Sequence, residues 1–101
     1  MKNPRIITLS SIVVRNDKYF ISSIVGEELV MMNMETGDYV GMNSVGSAIW
    51  EKIAEPVSVK NIIAYLLETF NVEEAQCQEE TLAYLKKMQE LGMLLISSEG
   101  I

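Results

Sequence analysis

An α+β fold is predicted, with a β-rich part over residues 1–42 followed by three helices over residues 43–96. Two observations carry the prediction. Up to residue 42 the chain is rich in β-branched residues separated by turn signals, as in Ile12-Val13-Val14, Tyr19-Phe20-Ile21, Ile24-Val25 and Leu29-Val30-Met31-Met32, whereas from residue 43 the apolar residues recur at helical spacing. Charge shifts at the same boundary: residues 1–42 hold four bases and five acids, and residues 43–101 hold four bases and nine acids. No repeat, low-complexity stretch or Pro/Gly/Ser linker separates the parts, so the 101 residues read as a single domain.

The first strand, or pair of strands, is placed within residues 11–25, with Asn16-Asp17-Lys18 as a turn. A hairpin follows, with strands at 28–34 and 38–42. Glu35-Thr36-Gly37-Asp38 joins them, because a glycine after two polar residues suits a type I turn closed by a left-handed residue. Gly41 lies inside the second strand, where glycine marks a bulge or the close approach of another backbone.

Asn43 or Ser44 caps the first helix, whose apolar residues Val45, Ala48, Ile49 and Ile53 recur at three and four and which Pro56 stops after Glu55. Ser58 caps the second, in which Val59, Ile62, Ile63, Leu66, Leu67 and Phe70 form one unbroken stripe. The third begins near Glu73, where Glu73 and Glu74 suit the positive helix end, and stops before Gly92, which suits a left-handed cap. Its apolar residues form two stripes, Thr81, Tyr84, Met88 and Leu91 on one face and Ala75, Leu82 and Leu85 on its neighbour. Either both meet the core or one is left free for a partner. Met93-Leu94-Leu95-Ile96 reads as a short tail packed back on the domain, and residues 97–101 as frayed.

Composition excludes several kinds of function. There is no histidine, which removes the usual general base, the Ser-His-Asp and Cys-His systems and the commonest metal ligand. Cys77 is alone, so no internal disulfide forms and the cytosol is the expected compartment. It lies among Glu73, Glu74, Glu79 and Glu80, a poor setting for a nucleophile, and reads as structural. Those acids are not a metal site either, since adjacent helical residues point apart. Gly37, Gly41 and Gly46 lack the Gly-Lys-Ser/Thr of a phosphate loop. A net charge of −6 disfavours nucleic acid. The start, Met1 to Ser10, has only Ile6, Ile7 and Leu9 beside Lys2 and Arg5, too little for a signal peptide, and no apolar run approaches a membrane span. No enzyme activity, metal or cofactor is expected.

The order of strand, hairpin and three helices is carried through the run Thr36-Gly37-Asp38-Tyr39-Val40-Gly41-Met42-Asn43-Ser44-Val45-Gly46-Ser47-Ala48-Ile49-Trp50-Glu51. It resembles the PqqD family, the leader-recognition proteins (RiPP recognition elements) used in making ribosomally synthesised, modified peptides. A strand ending in a large residue and Asn, then x-x-Gly-x-x-Ile-Trp, is shared, as is the run from Cys77 to Gly92 with Leu85, Met88 and the closing Gly-Met-Leu. The resemblance spans roughly residues 6–96. Ile7-Thr8-Leu9 through Val14-Arg15-Asn16, and Val30-Met31-Met32, are similar to the stand-alone members of bacterial lasso-peptide gene clusters.

The resemblance implies a winged helix-turn-helix-like fold, an N-terminal three-stranded antiparallel sheet followed by three helices. It also implies a non-catalytic role: the leader of a precursor peptide, with a Tyr-x-x-Pro-x-Leu-like element, adds an antiparallel strand to the sheet edge, in the groove between the third strand and the third helix. By position the pairing strand is Asp38, Tyr39, Val40, Gly41 and Met42. The wall is drawn from Gln78, Leu82, Leu85, Lys86 and Gln89, with Leu82 and Leu85 foremost. On this reading Val40 donates from the edge, so Val40→Pro should stop binding. The implied partners are the precursor leader, a separate cysteine (transglutaminase-like) leader peptidase and an asparagine-synthetase-like cyclase. Two rivals are weaker. A winged-helix DNA reader would need a basic third helix, but this one sets Glu73, Glu74, Glu79, Glu80 and Glu90 against Lys86 and Lys87. A carrier protein would need an Asp-Ser-Leu element, which does not occur.

Overall fold

The computed structural model describes residues 6–99. Lys2 and Arg5 at the start, and Gly100 and Ile101 of the expected frayed tail, lie outside the described residues. The elements run β1 (Ser11–Arg15), β2 (Phe20–Val25), β3 (Glu28–Asn33), β4 (Tyr39–Met42), α1 (Ser44–Lys52), β5 (Val57–Ser58), α2 (Val59–Thr69), α3 (Glu74–Glu90) and β6 (Leu94–Glu99). The fold is thus α+β, with antiparallel sheets and three helices among the described residues.

One sheet is the meander β2-β3-β4. Gly26, at φ 67°, makes a two-residue turn with Glu27 between β2 and β3, the type II′ geometry that matches strand twist. The β3–β4 turn is as the sequence predicts: Gly37 adopts φ 79°, its N–H donates to the Asn33 carbonyl at 2.7 Å, and Asn33 Oδ1 accepts from the N–H of Glu35 at 2.8 Å. The helix punctuation is also observed. Asn43 Oδ1 accepts from Gly46 N–H at 2.9 Å and Ser58 Oγ from Asn61 N–H at 3.2 Å. Gly92, at φ 76°, reverses the chain so that Met93 N–H reaches the Met88 carbonyl at 2.8 Å. The first helix stops at Lys52, before Pro56 requires it, and the freed Ile53 carbonyl accepts the Arg15 N–H at 2.7 Å.

Two expectations are corrected and one alternative is decided. β1 does not join the N-terminal sheet: it is the centre of a second sheet, ordered β5-β1-β6. The segment read as a tail is strand β6, and Ser97–Glu99, expected to fray, are part of it, with Ser11 opposite Glu99 and Arg15 opposite Leu94. Both stripes of α3 meet the core, through one buried arc of Cys77, Thr81, Leu85 and Met88 with Tyr84 and Leu82 half-buried on its two flanks, while Ala75 and Leu91 are exposed. This arc joins Met31, Met42, Ile49, Trp50, Ile62, Leu66 and Met93 in one core beneath the meander.

Candidate functional site

β4 pairs with β3 alone, so its other side is a free edge among the described residues. Which residues face outward follows from the ladder. Asn33 N–H donates to the Asp38 carbonyl at 2.8 Å, and the register then sets Met31 opposite Val40 and Leu29 opposite Met42. Antiparallel ladders alternate, so Val40 and Met42 bond inward to β3, while Tyr39 and Gly41 turn their N–H and C=O outward. Val40 is therefore no edge donor, and Val40→Pro would break the sheet itself. Tyr39, 70% exposed, and Gly41 project toward the outer face, and nothing lies within 4 Å of where a Gly41 Cβ would be. Asp38 is engaged in the turn, its N–H donating to Thr36 Oγ1 at 3.2 Å, and its side chain is exposed.

Beside the end of β4, α3 crosses the start of α1. Tyr84 Oη donates to Asn43 Oδ1 at 3.4 Å, the same oxygen that caps α1. Gly46 makes the crossing possible, since a Cβ there would overlap the Tyr84 phenol. Glycine in a helix costs about 1 kcal/mol relative to alanine, and here it is exchanged for the placement of one ring. Asn43, Val45, Glu80, Ala83 and Tyr84 line an open groove of about 420 Å³. Val45 and Glu80 are shared with a small apolar recess whose floor includes Leu66, Phe70, Val72 and Cys77. β4 ends at Met42, and the next residue, Asn43, lines the groove, which mixes the apolar Val45 and Ala83 with Asn43, Glu80 and the Tyr84 phenol.

The wall residues expected from the sequence are placed elsewhere. Leu85 is 0% exposed and lies wholly in the core. Leu82 is two positions from Tyr84, which puts it about 160° away around the helix, on the opposite flank. Gln78, Lys86 and Gln89 fall on that flank too, and Gln89 lines a depression beside β6 with Asn16, Gly92 and Leu94. The expected pairing strand is thus at an edge, but the helix flank beside it is that of Glu80 and Tyr84. Tyr84 belongs to the other of the two α3 faces that the sequence leaves open, and Gly46, a glycine inside a helix, is what lets its ring sit against α1.

Among the described residues no three His, Cys, Asp or Glu side chains gather as metal ligands. Cys77 is buried, its Sγ 3.9 Å from Thr81 Oγ1. No described helix is long and apolar enough to cross a membrane.

The structural likenesses are to proteins solved with peptides. The fold matches the chain described as "Lasso peptide synthetase B1 complexed with the leader peptide" with a TM-score of 0.72 at 17% identity, over 82% of this chain and 96% of that one. It matches "TbiB1 in Complex with the TbiA(beta) Leader Peptide" with a TM-score of 0.68 at 22% identity, over 76% of this chain and 90% of that one. No curated protein matches the sequence. The family model described as coenzyme PQQ synthesis protein D (PqqD) matches residues 28–94, more than half of the chain and all of the segment from β3 to the start of β6. The chain belongs to the PqqD family.

Proposed function

We propose that this protein is a non-catalytic recognition element that binds the leader of a ribosomal precursor peptide as a fourth strand on β4. The observation that carries the reading is the free β4 edge, followed directly by Asn43 at the mouth of the Val45–Tyr84 groove. A leader strand running antiparallel to β4 takes its main-chain hydrogen bonds from Tyr39 and Gly41. Its inward side chains, the apolar members of a Tyr-x-x-Pro-x-Leu-like element, rest on Val45, Ala83 and Tyr84 and reach the recess. About four strand hydrogen bonds at about 1 kcal/mol and three apolar side chains at about 2 kcal/mol give a gross gain of about 10 kcal/mol. Ordering the leader takes back about 2–5 kcal/mol, leaving a Kd on the order of 10 μM. Asp38 and Glu80 at the two ends of the site favour leaders that carry Lys or Arg.

The whole chain acts as one domain of winged helix-turn-helix-like shape, in the cytosol of a bacterium. It presents the bound leader to a separate transglutaminase-like cysteine peptidase and to an asparagine-synthetase-like cyclase of a lasso-peptide pathway. DNA binding is disfavoured by the acids along α3. Fluorescence anisotropy of a labelled cognate leader tests the binding. Saturable binding in the micromolar range is expected, lost in Gly41→Pro, which removes an outward N–H while leaving the β3–β4 ladder intact. Absence of binding at 1 mM protein contradicts the reading, since this is about a hundredfold above the expected Kd.

A further inference from the structure

The meander has a second free edge, built differently from the first. Among the described residues β2 pairs with β3 alone. Its sequence, Phe-Ile-Ser-Ser-Ile-Val, has no charge and no proline, and Ile21, Ile24 and Val25 are 48%, 74% and 63% exposed. Natural sheets blunt their edges with charge, proline or bulges, so an edge of this composition calls for cover. Met34 N–H donates to the Tyr19 carbonyl at 2.7 Å, and by alternation Ile21, Ser23 and Val25 bond to β3 while Phe20, Ser22 and Ile24 direct their N–H and C=O outward.

We propose that a second copy of this chain covers this edge, by antiparallel β2–β2 pairing about a two-fold axis at Ser23. A two-fold axis normal to the sheet keeps both inner faces on one side and sets residues with a constant, even sum opposite each other. With the axis at Ser23, Ser22 and the partner's Ile24 exchange their outward hydrogen bonds, and Ile21 meets the partner's Val25 on the outer face. The partner's Ile24 stands beside Ser22 on the inner face. There a concavity of about 350 Å³ lies open between the sheet and α1, with Leu29 and Trp50 in its apolar lining and Arg15, Glu27 and Glu51 as its charged residues. The ends complement as well, because Lys18 comes to the turn that holds the partner's Glu27.

Charge favours this surface over the rest of a chain with net charge −6, since β2 is neutral and each end sets Lys18 against the partner's Glu27 and Glu28, while Asp17 is held by Arg15 at 3.1 Å. A six-residue ladder buries less than the roughly 800 Å² per partner of a standard interface, so the dimer depends on concentration. Both β4 edges remain at the far sides of the resulting six-stranded sheet, and the proposal stands apart from leader binding.

Sedimentation velocity of the full chain, without peptide, from about 5 μM to about 500 μM tests it. The mass should rise from 11.3 kDa toward twice that value. Ser23→Lys and Ser23→Asp, on an exposed position, should each remain monomeric with unchanged circular dichroism, because like charges then oppose each other at the axis. An equimolar mixture of the two variants should recover the dimer. Ile24→Thr, which trims only exposed surface, should weaken association several-fold. A monomer at every concentration, a dimer that the Ser23 variants leave intact, or a mixture that stays monomeric overturns the proposal.

Discussion

Tyr84 and Leu82 sit two residues apart on α3, both half-buried, yet one borders the free β4 edge through Asn43 and the other faces away from it. Helical periodicity identifies both as flanks of the buried arc and ranks neither. The ranking comes from the α1–α3 crossing, which Gly46 allows on one flank only. A binding wall is thus defined less by apolar character than by the strand edge it lies beside.

The sharpest division is between arc and flank. Leu85→Ala should cost about 2–5 kcal/mol of stability in urea denaturation, with leader affinity unchanged for the folded protein, because the side chain is fully enclosed. Next is the flank beside β4: Tyr84→Asp should weaken leader binding to the folded protein by at least about tenfold, roughly 1.4 kcal/mol, and should also lower the midpoint of urea unfolding, since the half-buried ring packs on the core. Gly46→Ala should act on the same ring from beneath, shifting the phenol off Asn43 and weakening the leader by about threefold to tenfold, close to 1 kcal/mol. The smallest effect belongs to the far flank, where Leu82→Asp should alter affinity by less than about twofold. Titration of each variant with a labelled leader checks these, and a larger effect from Leu82→Asp than from Tyr84→Asp would reverse the assignment of flanks.

What was legible in the sequence was local. Asn43, Ser58, Gly37 and Gly92 act within a few residues of themselves, and their caps and turns are where the sequence places them. Gly26-Glu27 offered a two-residue hairpin of the same kind. Long-range pairing was not legible: β6 becomes a strand only because β1, some eighty positions earlier, lies beside it, as Val14 opposite Leu95 shows. The candidate site divides in the same way. Tyr39 to Met42 could be recognised as a strand, but Val40 and Gly41 exchange roles because the ladder phase is fixed by the bond from Asn33 to Asp38. The helical wall depended on a contact between Gly46 and Tyr84, thirty-eight positions apart, that no spacing rule contains.

The central claim, that a leader adds to β4, is tested most directly by amide hydrogen exchange with and without the peptide. The account predicts new protection at Tyr39 and Gly41, none at Val40, whose amide already bonds to β3, and none at Ser22 or Ile24 on the opposite edge. Protection gained at Ser22 and Ile24 instead, or bound peptide with Tyr39 and Gly41 still exchanging freely, would contradict it.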